Sequence, residues 1–124
     1  MQRIPIRTSL IAAAIGLAAF VAAGCGSSEG APAGAQQMSF TLTDAGCEPN
    51  TVKVAAGPIF FEVENAGSSK VTEFEVLDGD TILGEVENLP DGLSKTFSLT
   101  LKQGEYTLYC PGGTDERGTL TVSG

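Results

Sequence analysis

Beyond residue 37 the chain alternates apolar and polar positions with period two, and no stretch sustains the 3.6-residue repeat of a helix. Met38, Phe40 and Leu42 share one face of a first strand, and Val52 and Val54 one face of a second. In a third, Ile59, Phe61 and Val63 alternate with Phe60, Glu62 and Glu64. Residues 71–77 predict a fourth strand and 81–86 a fifth. Phe97, Leu99 and Leu101 alternate with Ser98, Thr100 and Lys102 in a sixth; residues 106–110 form a seventh, and 119–122 the last. Between them lie Ala56-Gly-Pro58, Asn65-Ala-Gly67, Asp78-Gly-Asp80, Leu89-Pro-Asp-Gly92, Gln103-Gly104 and Pro111-Gly-Gly113, all built from turn-forming residues. Short strands at this spacing predict an all-β, antiparallel β-sandwich over residues 38–124. Phe40, Phe61, Phe74 and Phe97 take core-facing positions. Phe60, on the acidic side of its strand, is the candidate for an exposed aromatic contact.

The first 37 residues follow another pattern. Arg3 and Arg7 precede an apolar stretch from Leu10 to Ala23, shorter than the roughly 20 residues a membrane span needs. The stretch ends in Val21-Ala-Ala-Gly-Cys25, small residues before a cysteine, as in a lipobox. Residues 1–24 are therefore expected to be a lipoprotein signal peptide, with Cys25 diacylated as the new N-terminus. Each buried methylene contributes about 0.8 kcal/mol, so two acyl chains anchor stably where one does not. Residues 25–37 are rich in Gly, Ala and Ser and read as a flexible tether. The expected location is extracytoplasmic, lipid-anchored to the bacterial cell membrane.

Charge and missing residue types narrow the function. The chain has 7 basic and 15 acidic residues; without Arg3 and Arg7 the side chains sum to −10. A nucleic-acid binder that tracks phosphates needs the opposite sign. There is no histidine, which removes Ser-His-Asp and Cys-His nucleophile systems and histidine-based zinc sites. No glycine-rich phosphate loop links a strand to a helix. An enzyme is not expected.

What remains is Cys47, in the turn Asp44-Ala-Gly-Cys-Glu-Pro-Asn50, and Cys110, ending a strand. With Cys25 consumed by lipid, two thiols in an oxidising compartment fit one disulfide. They also fit a thiolate metal site completed by carboxylates.

Strand counting alone does not separate an immunoglobulin-like sandwich, which favours a core Trp absent here, from a cupredoxin Greek key. Gly104-Glu-Tyr-Thr-Leu-Tyr-Cys110, with the loop and strand to Val122, resembles the last two strands of a cupredoxin. In that family the cysteine supplies a copper thiolate, followed by a His and a Met from the next loop. Here Gly113 stands in the His place, Glu116 nearest the Met place, and Glu73 near the place of the earlier His. A blue-copper centre with two His and a Cys is thus excluded. Tyr106 on this strand suits a corner-fixing role through its hydroxyl.

A closer resemblance is to the N-terminal cupredoxin-like domain of the EfeO family of periplasmic iron-uptake proteins. Thr43-Asp-Ala-Gly-Cys47-Glu-Pro, Glu73-Phe-Glu75-Val-Leu, Glu87-Asn-Leu-Pro-Asp-Gly-Leu-Ser94 and Gly104-Glu-Tyr106 leading to Cys110 carry it. The resemblance implies a copper or iron ion held by Cys47, Cys110 and Glu73; loop position adds Glu116, and Glu75 is a weaker candidate. It also implies partners in an iron permease or a peroxidase-like uptake protein. EfeO proteins usually continue into a helical peptidase-like domain, whereas this chain reads as a stand-alone domain, so complete uptake function does not carry over. Strand alternation opposes Glu73 as a ligand, since Phe74 and Val76 take the core face and turn Glu73 and Glu75 outward. The alternative to a metal site is a disulfide-bonded sandwich, without metal, that docks a partner.

Overall fold

Wherever the alternation is strongest the computed structural model has a strand with one buried face. It describes residues 30–124; the signal segment, Cys25 and the start of the tether lie outside the described residues. The strands are β1 (Gln36–Thr43), β2 (Gly46–Glu48), β3 (Thr51–Ala55), β4 (Gly57–Asn65), β5 (Phe74–Asp78), β6 (Thr81–Val86), β7 (Ser94–Leu101), β8 (Gly104–Tyr109) and β9 (Arg117–Ser123). In β1 the buried Phe40 and Leu42 alternate with partly exposed Thr41 and Thr43. In β5, Phe74 and Val76 are buried and Glu75 is not, as the alternation predicts for Glu75.

Two sheets result, one in the order β2-β1-β4-β7 and the other β3-β9-β8-β5-β6. Five of the seven pairings are antiparallel; β1–β4 and β3–β9 are parallel, because the chain switches sheets between these partners in Greek-key fashion. The turns behave as their residues require. Gly67 and Gly79 adopt φ of 94° and 60°, values that penalise a Cβ.

The two sheets enclose one core. Phe40 and Phe61 from one sheet and Phe74 from the other are buried together, with Phe97 partly buried against them. Phe61 and Phe97 stack at 4.8 Å between centroids, and Phe40 meets Phe74 across the sheets at 4.7 Å. Each such pair contributes about 0.5–1.5 kcal/mol beyond its area burial. Tyr106 Oη donates to the Lys102 carbonyl at 2.8 Å and fixes the start of β8, the corner role expected of it.

Three local expectations are corrected. Phe60 is 6% exposed, so it offers no exposed aromatic contact. Val71 is buried, yet residues 71–73 form a loop before β5. Cys47, placed in a turn by its Gly and Pro neighbours, lies in the short strand β2, where it pairs with Leu42.

Candidate functional site

The cysteines meet at the end of the sandwich where the segments around 44–50 and 110–117 come together. Cys47 and Cys110 form a disulfide with Cα atoms 5.7 Å apart, closing a sequence separation of 63. Both are buried, Cys47 with 4% exposure and Cys110 with none. A bridge of this span restricts the unfolded chain and contributes about 4 kcal/mol in the chain-entropy account.

Backbone pairing clamps the two segments around it. Thr114 N donates to Asp44 O at 3.3 Å, and Asp115 N to Ala45 O at 2.7 Å. Asn50 Nδ2 donates to Asp115 Oδ2 at 2.9 Å, and Thr119 N to Asn50 O at 2.7 Å. The clamp needs glycine at Gly46, whose φ is 139° and whose missing side chain would run into the Asp115 carbonyl. At Gly113 a Cβ would stand 2.5 Å from the Ala45 carbonyl oxygen.

A buried polar hub holds the Asp44 side of this clamp. Asn65 is fully buried, and its Nδ2 donates to the carbonyls of Ser68 at 2.9 Å, Leu89 at 2.9 Å and Val71 at 3.4 Å. Its Oδ1 accepts from Ser68 N at 2.9 Å. Ser68 Oγ in turn donates to Asp44 Oδ1 at 2.7 Å and accepts from Val71 N at 2.9 Å. Sequence reasoning took Asn65 for an ordinary turn residue and did not single out Ser68. The available signal was an Asn directly after an alternating apolar strand, on the parity of Ile59, Phe61 and Val63, where a polar residue must be satisfied.

The proposed ligands fare unequally. Cys110 N donates to Glu116 O at 2.8 Å, so Glu116 lies beside the bridge, but its Oε2 accepts from Gly112 N at 3.4 Å, across the turn. Glu73 sits just ahead of β5, partly buried, in acidic company. Burial first, and then the charges of Glu85, Glu73 and Glu87, hold the Glu75 carboxyl above the usual range, while Arg117 pulls it down. Arg117 itself lies 4.4 Å over the Tyr109 ring. Among the described residues no three of His, Cys, Asp or Glu are grouped to hold a metal ion. The structure therefore brings Cys47 and Cys110 together and does not gather Glu73 and Glu116 around them as a metal-binding set.

These residues do not fit a trigonal His₂Cys copper centre. The chain has no histidine, and the position resembling the loop histidine, Gly113, is packed against Ala45 backbone. Sulfurs bonded to each other are not thiolates, so any thiolate site requires reduction of the bridge first.

Comparison with known proteins agrees with this architecture. A family model described as a cupredoxin-like domain matches residues 12–122. The chain is 39% identical over 88 residues to the "Iron uptake system component EfeO" of Escherichia coli K12, covering 71% of this chain and 23% of that protein. The EfeO of Shigella flexneri matches to the same extent. The chain thus spans about a quarter of the length of these curated relatives. Among solved structures, dithionite-reduced auracyanin from Roseiflexus castenholzii superposes with a TM-score of 0.61 at 16% identity, covering 77% of this chain and all of that one. Reduced rusticyanin superposes at 0.59 with 15% identity over 70% of this chain and 76% of its own. Sandwich, strand order, bridged loops and a match across nearly the whole sequence converge on one conclusion: the chain belongs to the cupredoxin-like domain family.

Proposed function

We propose that this protein is a membrane-tethered, extracytoplasmic metal-binding accessory of iron uptake, whose Cys47–Cys110 pair binds a copper or iron ion only when reduced. The observation that carries this reading is the joining of the only two cysteines of the folded part at the loop end of a domain 39% identical to EfeO. Two thiolates there form a soft donor pair suited to Cu(I), and Glu116, whose backbone pairs with that of Cys110, offers a carboxylate that would suit iron. Glu73 joins only if the loop before β5 moves. In this reading residues 1–24 are the signal, Cys25 carries the acyl chains, and residues 25–37 hold the domain off the membrane. An iron permease or a peroxidase-like protein would be the partner, and nucleic acid would not.

The tests are separable. Fatty-acid labelling should mark the protein and be lost in Cys25→Ser; a labelled variant would remove the anchor. Cupric ion added to the reduced domain should give no intense blue band, since the two histidines of such a centre are missing. Metal content measured on reduced and on oxidised protein should differ, with metal only in the reduced form. The second reading, a disulfide-bonded interaction module without metal, is favoured by the bridge itself. It would stand if neither form retained metal.

A further inference from the structure

The two sulfurs of the bridge are not equally open to attack. Cys47 is among the residues lining a pocket of about 300 Å³, with Glu48, Asn50 and Asp115, whereas Cys110 is wholly buried and does not line it. At roughly 30 Å³ per water molecule, such a space admits a small thiol. Thiol–disulfide exchange requires the attacking thiolate to reach one sulfur while the other departs. Of the two cysteines, Cys47 is the one that lines this space.

The pocket also has a charge preference. Glu48 and Asp115 are both among its lining residues. Asp115 is held by the Asn50 amide, and Glu48 Oε1 accepts from Thr43 Oγ1 at 3.2 Å, so both carboxylates are fixed by neutral donors. Two acidic residues lining the pocket repel an anionic thiol and attract a cationic one.

We infer that the bridge is a thiol-exchange site, opened by attack on Cys47 Sγ through this acidic pocket and selective for thiols that carry positive charge. The reaction balances as two exchanges. A thiolate RS⁻ attacks Cys47 Sγ, the S–S bond breaks, and Cys110 leaves as the thiolate, giving a mixed disulfide on Cys47. A second RS⁻ attacks the R sulfur of that adduct, releasing Cys47 as the thiolate and RSSR. The protein bridge gains two electrons, and two thiols become one disulfide. The inference goes beyond the metal proposal and stands or falls without any metal.

The experiment uses the oxidised full chain, metal-free, at low ionic strength. Cysteamine and 2-mercaptoethanesulfonate are compared at equal thiolate concentration, with acid quench, alkylation and peptide mapping. Mapping reads Cys47 and Cys110 separately from Cys25. The expected result is the thiol adduct on Cys47 with Cys110 alkylated, and cysteamine faster by about tenfold, a ratio that shrinks as salt is raised. Asp115→Asn with Glu48→Gln should bring the two thiols to similar rates, while Glu105→Gln, on β8 away from the pocket, should leave the ratio unchanged. An adduct chiefly on Cys110, equal rates in the wild type, or a ratio insensitive to the pocket substitutions would overturn the inference. Circular dichroism on each variant guards against misfolding, and the wild-type adduct position tests the site without any variant.

Discussion

Replacing Asn65 by Asp changes one NH₂ to an oxygen and almost nothing in volume, so its effect isolates the hydrogen-bond hub. In the wild type the Asn65 amide gives its two N–H bonds to the carbonyls of Ser68 and Leu89, with Val71 O a more distant third acceptor. A carboxylate in its place would point an acceptor at three acceptors, in a site with no solvent exposure. Two buried carbonyls would lose their donor, at about 1–3 kcal/mol each, and the charge adds its own desolvation cost. The expected loss at neutral pH is therefore roughly 3–6 kcal/mol, a large share of the ~5–15 kcal/mol that stabilises a domain. The variant also acquires a pH dependence of known sign. Burial and facing carbonyls raise the folded-state pKa of the new carboxyl above its unfolded value. Its protonated form, which can donate one bond, is favoured at low pH, so the deficit should shrink on acidification and grow as pH rises through the raised pKa. Urea unfolding of Asn65→Asp and Asn65→Leu, each at acidic and neutral pH, reads both effects. Asn65→Leu should be destabilised with no pH dependence beyond that of the wild type. Asn65→Asp within about 1 kcal/mol of the wild type at neutral pH would refute the reasoning.

Three further outcomes follow from other parts of the fold. Tyr106→Phe should lower stability by about 1 kcal/mol in urea unfolding, the value of the single hydrogen bond to Lys102 O that it removes. Gly46→Ala forces a Cβ against the Asp115 carbonyl and should cost about 2 kcal/mol or more, with faster amide exchange at Asp115 as the local sign of a loosened clamp. Glu75→Gln should raise the melting temperature at neutral pH. The raised pKa means that ionising Glu75 costs stability as pH climbs from the usual carboxylate range, so the gain should fade on acidification.

Local patterning was legible in the sequence wherever burial alternates. Strand β6 runs from Thr81 to Val86 as expected, and the parity of Phe61 and Val63 correctly assigned the buried face of β4. What was not legible is non-local. Strand β2 is three residues long and exists because Cys47 pairs with Leu42, a partner that no propensity reveals. Val71 looked like the start of a strand because it is apolar, but its burial comes from the loop tied to Asn65 and Ser68. The parallel pairings depend on which sheet each connection enters, and alternation says nothing of that. At the site, the sequence left bridge and ligand pair both open; the bridge is what the fold contains. Glu73 became a ligand candidate through family resemblance, and the grouping of Glu73, Glu85 and Glu87 around Glu75, with Glu75 paired to Glu85 in the β5–β6 register, is what only the fold discloses.

The central claim is that the Cys47–Cys110 pair is a metal site when reduced, and a melting curve of the reduced protein with and without Cu(I) or Fe(II) tests it most directly. Free metal a hundredfold above Kd should add about 2.7 kcal/mol to the folded state. The reduced wild type should therefore melt at a clearly higher temperature with metal, while the oxidised protein and reduced Cys110→Ser should not shift. A reduced wild type that melts at the same temperature with and without metal would contradict the account and leave the bridge as a purely structural link.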